Sequence, residues 1–234
     1  MEDHRITGGV RLPFSLMGST YFMQYENAKR RVDWSLMYLR NSSFGNYNVQ
    51  YIDSFNNAII EREQLGKTVT NMLQASATYP FDRRNSIRMQ MAYRNDAFRF
   101  KAQDQLSLLY DVQDKNQSWV LSRAEYVYDN SISPALNIRN GLRYKIFAEY
   151  MYRMNGKTGG FYGLGADVRN YTKIYKNFIW ATRLAFAHSG GDKRIMYQMG
   201  GVDNWISPQV SQYTPIRPQQ DYAFIAQANN MRGY

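Results

Sequence analysis

The sequence predicts an all-β chain, an antiparallel transmembrane β-barrel of the outer-membrane type. Three observations point there. Apolar and polar residues alternate with a period of two over stretch after stretch, the mark of a strand with two unlike faces. The longest stretches exceed ten residues, whereas sandwich strands run to about 5–6 and a tilted membrane strand needs about 9–11. Aromatic residues make up 15% of the chain and twenty of them are tyrosine, which such barrels place at their two interfaces.

Taken in order, Ile6, Val10 and Leu12 oppose Arg5 and Arg11, and Tyr21, Met23 and Tyr25 oppose Gln24 and Glu26. Trp34, Leu36 and Tyr38 alternate with Asp33 and Ser35. Leu73, Ala75, Ala77 and Tyr79 alternate with Gln74, Ser76 and Thr78, and Ile87, Met89, Met91 and Tyr93 with Arg88, Gln90, Ala92 and Arg94. Val120, Ala124, Tyr126 and Tyr128 alternate with Leu121, Arg123, Glu125 and Asp129. The most regular stretch is Leu142 to Met154. Leu142, Tyr144, Ile146, Ala148, Tyr150, Tyr152 and Met154 share one face; Arg143, Lys145, Phe147, Glu149, Met151 and Arg153 share the other. The first face suits lipid and the second a wet lumen. Tyr162, Leu164, Ala166 and Val168 then oppose Gly163, Gly165, Asp167 and Arg169. Phe178, Trp180, Leu184 and Phe186 oppose Ile179, Ala181, Arg183 and Ala185.

Turns are expected where Pro, Gly, Asn and Ser gather: 13–18, 80–85, 130–140, 155–160 and 170–177. That leaves about nine or ten strands before Gly200-Gly201. Within 98–117, Leu106, Leu109 and Tyr110 share a helical face.

Composition excludes several classes. Without cysteine there is no disulfide framework and no thiolate metal site. Mean hydropathy is negative, and no run approaches the roughly 20 apolar residues of a membrane helix; a barrel strand offers lipid only every second residue. Lys plus Arg exceed Asp plus Glu by ten (29 − 19), but the cations are spread over many strands, whereas nucleic-acid sites cluster them. The sequence contains no P-loop, dinucleotide fingerprint, metal spacing or Gly-x-Ser-x-Gly. His188 stands beside Ser189 without a polar orienter, so no nucleophile–base set is expected. The reading is a non-enzymatic chain with no cofactor, no metal and no nucleic-acid partner. Met1 is followed by Glu-Asp-His-Arg rather than an apolar targeting segment, so residue 1 is expected to lie inside a longer natural chain.

The segment from Ile195 to Tyr234 differs from everything before it. A short strand ends in Gly200-Gly201, Pro208, Pro215 and Pro218 interrupt the long loop after it, and the chain closes on Arg232-Gly233-Tyr234. A strand ending in Gly-Gly, a long loop and then Arg-Gly-aromatic resembles the surface-antigen superfamily of outer-membrane barrels, to which BamA-type insertases and two-partner secretion pores belong. The wording Gly-Gly-Val-Asp-Asn-Trp, Tyr-Ala-Phe and Asn-Asn-Met-Arg-Gly-Tyr is similar to the barrel part of Bacteroidetes proteins that join a TolB-like β-propeller to such a barrel. The resemblance implies a division into N-terminal barrel strands at 1–194 and a lumen-directed loop at 195–234. It also implies that the long loop faces outside and the turn at 80–85 faces the periplasm, which by strand parity makes 98–117 an extracellular excursion linking oppositely directed strands. It implies a loop motif made of Gly200, Gly201, Arg232, Gly233 and Tyr234, with the closing strands after Tyr234, so that the barrel here is incomplete. Arg143, Lys145, Glu149, Arg153, Asp167, Arg169 and Arg183 are then lumen-facing charges. The expected function is protein or macromolecule translocation across or into the bacterial outer membrane. The alternative is a structural or receptor barrel that anchors a periplasmic propeller and transports nothing. The bilayer itself, other envelope proteins and a fused N-terminal periplasmic domain are the expected partners.

Overall fold

A computed structural model describes residues 3–12, 18–52, 59–101, 105, 114–135, 138–155, 159–176, 178–199, 216 and 221–228. The elements are β1 (His4–Arg11), β2 (Gly18–Asn27), β3 (Asp33–Ile52), β4 (Ile59–Pro80), β5 (Asn85–Phe100), β6 (Lys115–Asp129), β7 (Ile132–Ala135), β8 (Ile138–Arg153), β9 (Phe161–Tyr175), β10 (Phe178–Gly191), β11 (Arg194–Met199) and β12 (Tyr222–Ala228). Nine strands form one antiparallel sheet in the order β1-β2-β3-β4-β5-β6-β8-β9-β10, with β7 paired to β8. Among the described residues β1 and β10 are not paired to each other, so the sheet is not closed. β11 and β12 form a separate parallel pair.

The alternation is realised strand by strand. Ala75, Met91, Ser122 and Tyr150 stand opposite one another through successive registers, as do Ala77, Met89, Ala124 and Ala148. Every apolar set in the sequence therefore falls on one face. That face is exposed: Met91, Ile146, Leu164, Leu184 and Phe186 are all open. The opposite, polar face is the covered one, with Thr68, Thr70, Arg94, Asp96, Gln117 and Asp167 buried. A soluble sheet has the reverse arrangement, polar out and apolar in.

Aromatic side chains on the apolar face fall into two rows. Near the end carrying the turns at 28–32 and 81–84, Tyr25 packs on Trp34 (5.3 Å), Tyr79 on Phe81 (5.3 Å), and Tyr144 between Tyr126 (6.1 Å) and Tyr128 (5.0 Å). Toward the other end lie Tyr21 against Tyr38 (6.2 Å) and Tyr162 against His188 (6.0 Å), with Tyr93, Tyr150 and Tyr152 between them in strand order. Met23, Leu36, Met89, Met91, Ala124, Ile146, Ala148 and Leu164 fill the band between the rows.

On the polar face, glycines sit under rings of the neighbouring strand. Gly165 is the register partner of Phe147, and a Cβ there would collide with that ring. Phe147 in turn carries the Arg123 guanidinium 4.4 Å from its centroid. A Gly165→Val substitution should therefore displace Phe147 and cost about 1–3 kcal/mol, as overpacking does, read as a lowered unfolding midpoint; Gly165→Val at no cost would show that the ring moves aside freely.

Three sequence expectations are corrected. The link expected at 98–117 is shorter, because Phe98 pairs with Lys115 and both lie in strands; Leu106, Leu109 and Tyr110 are outside the described residues. The segment 130–140 is not all turn, because β7 folds back on the start of β8 there, pairing Ile132 with Asn140. The segment 170–177 is mostly strand: β9 continues to Tyr175 although Asn170, Thr172 and Lys173 lack alternation.

Candidate functional site

The charged residues of the polar face meet across strands because the register sets them there. Arg123 and Glu149 are direct partners in β6 and β8, and their side chains pair at 2.9 Å. Glu125 gathers three cations: Arg123 at 3.1 Å, Arg88 at 3.5 Å and Lys145 at 3.9 Å. Asp167 accepts two bonds from Arg169, at 3.0 and 3.1 Å, and one from Arg183 at 2.7 Å. Arg143 pairs with Asp129 at 3.3 Å. Two small cavities open along this row. One of about 390 Å³ is lined by Ser76, Thr78, Arg88, Gln90, Arg123 and Glu125. The other, of about 110 Å³, lies among Arg88, Glu125, Arg143, Lys145, Asp167 and Arg169. Such a network satisfies its own charges while leaving a wet surface, and it fixes long side chains that would otherwise sweep the space.

At the other end the same face is apolar and capped. Trp119, Met151 and Phe161 occupy the alternate positions that carry charges further down, and Trp119 meets Phe161 edge-on at 5.9 Å. Ile195 of β11, Ile216 and Ala223 of β12 complete this cluster, all of them nearly inaccessible. Three described residues of the 195–234 segment, Ile195, Ile216 and Ala223, thus pack onto the polar face. Polar contacts of Ser189 and Asp96 help to hold the segment. Ser189 Oγ donates to the Ile195 carbonyl at 2.8 Å and accepts from the Ile195 amide at 3.2 Å. Asp96 Oδ2 accepts the Ile216 amide at 3.3 Å. Asp96 also takes the Arg94 guanidinium at 3.0 Å on both oxygens and the Thr70 hydroxyl at 2.6 Å. Arg94 and Asp96 are 1% and 0% exposed, so this is a buried ion pair whose carboxylate reaches from the sheet to the folded-back segment. Tyr197, on β11 outside the long strands, faces Glu149; burial first, and then that carboxylate, push its phenol up to about 12, so it stays protonated.

Arg143, Lys145, Glu149, Arg153, Asp167, Arg169 and Arg183 all stand on the polar face. The first three and the last three belong to the ion-pair row; Arg153 stands apart from it, 5.9 Å over the Trp119 ring. Gly200, Gly201, Arg232, Gly233 and Tyr234 lie outside the described residues. Sequence reading missed Arg94 with Asp96, Thr70, Trp119 and Ile216. The available signal was the opposite charge pair two apart, Arg94 and Asp96, which shares one face of a strand. His188 is on the apolar face and Ser189 on the other, its hydroxyl engaged by Ile195, so the two do not form a nucleophile–base pair. Among the described residues no group of three His, Cys or acidic residues could hold a metal ion.

No family model, curated protein or solved structure matches this chain.

Proposed function

We propose that the sheet is the greater part of an outer-membrane β-barrel, with the apolar face on lipid, the polar face lining a lumen, and the segment after Ile195 folded into that lumen. The barrel acts without catalysis, in moving proteins or other macromolecules across or into the outer membrane. The observation that carries the membrane reading is the slope of the aromatic row. Followed through the registers onto β8, Tyr25 stands level with Tyr150, Trp34 with Ala148, Tyr79 and Tyr126 with Ile146, and the row ends at Tyr144 itself. The row slides from position 150 to 144 across the five steps from β2 to β8, about 1.2 residues or 4 Å for each strand spacing of about 4.8 Å. If the row lies flat in an interface, the strands tilt by about 40°, the tilt that barrels need for closure.

The translocation half of the proposal rests on the sequence resemblance, and on a lumen that is charged at one end and covered by a folded segment at the other. It is tested by a photoreactive amino acid at Gln90, which lines the larger polar cavity. In living Gram-negative cells the expected result is adducts with newly made envelope proteins that vanish when protein synthesis is stopped. Adducts that persist unchanged, or none at all, would favour the anchoring barrel instead.

A further inference from the structure

Five cations crowd two adjacent turns. Lys29, Arg30 and Arg31 lie between β2 and β3, and Arg83 and Arg84 between β4 and β5. The turns are joined by Arg31, whose Nε donates to the Pro80 carbonyl at 3.2 Å and whose Nη2 donates to the Phe81 carbonyl at 2.9 Å, with the guanidinium 4.8 Å over the Tyr79 ring. Arg31 is therefore a staple. Lys29, Arg30, Arg83 and Arg84 are exposed, and among the described residues none of them forms an ion pair. The acids beside them are Asp3 and Asp33, both exposed, Asp129, whose amide donates to the Arg84 carbonyl at 2.8 Å and whose carboxylate pairs with Arg143 at 3.3 Å, and Asp82. Asp82 is occupied by its own turn, accepting the Arg84 amide at 2.6 Å and the Asn85 amide and side chain at 2.7 Å each.

Directly beyond this cluster, on the apolar face, comes the aromatic row. Tyr25 and Trp34 pack together, Tyr79 and Phe81 pack together, and Trp34 and Phe81 are 44% and 52% exposed. Cations stacked outside aromatics, which in turn border an apolar band, reproduce the layering of a lipid leaflet from phosphate to glycerol to acyl chain. Guanidinium forks suit phosphate oxygens, which they can hold with two bonds.

We propose that the turns at 28–32 and 81–84 form a binding site for the phosphate of anionic phospholipid headgroups in the leaflet they face. The site rests on the membrane reading above and adds to it a lipid preference. The sign of the charge selects the lipid: a zwitterionic headgroup offers the same phosphate with a cation attached, and so gains less from four exposed cations.

The test uses the full-length protein in vesicles of equimolar phosphatidylcholine and phosphatidylglycerol, with strand insertion established separately by protease protection. Spin-labelled forms of each lipid report which is held at the protein surface. The parent should hold phosphatidylglycerol several-fold over phosphatidylcholine, and glycerol phosphate in solution should not displace it. The combined Arg30→Gln, Arg83→Gln and Arg84→Gln variant should insert and fall to near parity. A control variant with Arg99→Gln and Lys115→Gln, at the far end of the sheet, should keep the preference. An inserted parent without preference, a triple variant that retains it, or displacement by glycerol phosphate would overturn the lipid site alone. Failure of the parent to insert would overturn the membrane reading beneath it.

Discussion

Asp96→Ala should release the folded-back segment and destabilise the end of the sheet it covers, by about 3–5 kcal/mol, the cost of breaking a buried pair by removing one member. The reason lies in what this carboxylate does at once. It accepts both bonds from Arg94, the Thr70 hydroxyl, and the amide of Ile216. Arg94 sits at 1% exposure, so its charge loses a partner in a place where water does not replace it. The Ile216 amide loses its acceptor, and the Trp119–Phe161–Ile195–Ile216–Ala223 cluster loses its polar fastening. Hydrogen exchange is the measurement. The Ile216 and Ala223 amides should exchange much faster in the variant, while amides of β1 and β2, at least three strands away in the sheet, keep their protection. A companion variant, Arg94→Leu with Asp96→Leu, removes both charges; it should recover much of the sheet stability without restoring protection at Ile216. An unchanged Ile216 amide in Asp96→Ala would mean that the carboxylate does not hold the segment.

What was legible in the sequence was the direction of side chains. The unbroken alternation from Leu142 to Met154 assigns each residue to a face, and the assignment transfers across the sheet because registers pair like with like, Ile146 with Ala166 and Lys145 with Asp167. Alternation does not say what covers a face. Trp119, Met151 and Phe161 occupy positions equivalent to those of the charges, yet they form a core only because Ile195, Ile216 and Ala223 arrive there. Asp96 and Ile216 are 120 residues apart, and no local pattern encodes that meeting. The far parts of β3 and β4 were invisible for another reason. From Asn41 to Asn48 the two large rings, Phe44 and Tyr47, stand at positions of opposite parity among Asn, Ser and Gly, so period two disappears, and only the backbone ladder from Asn46↔Leu65 to Ile52↔Ile59 shows the arm extending past β5. Charges offered the opposite lesson. Arg183 and Asp167 were each legible as facing the polar side, and the register places them within reach across β9 and β10, where they pair at 2.7 Å.

Ala148→Arg should be the most informative change on the apolar face. Ala148 is flanked by Ala124 and Leu164 in the neighbouring strands. With Ser122, the two alanines floor a shallow apolar groove of about 540 Å³ walled by Met89, Met91, Tyr150, Tyr162 and Leu164. Along β8 the position lies between Tyr144 of one aromatic row, four residues or about 13 Å of strand away, and Tyr150 and Tyr152 of the other, two and four residues away. An arginine there must hold its charge at mid-membrane depth, and the expected cost is about 2–4 kcal/mol in a lipid-folding titration. Lys145→Gln, three residues away on the polar face, removes a cation that shares Glu125 at 3.9 Å with Arg88 and Arg123. Its cost should stay within about 1 kcal/mol, the range of partly solvated ion pairs. The two substitutions separate the environments because water and lipid rank them in opposite order. If the apolar face were in water, an exposed Ala→Arg change would shift stability by no more than about 0.5 kcal/mol, and the Lys145 change would be the larger of the two. Equal costs, or a larger cost at Lys145, would remove the lipid assignment and with it the barrel.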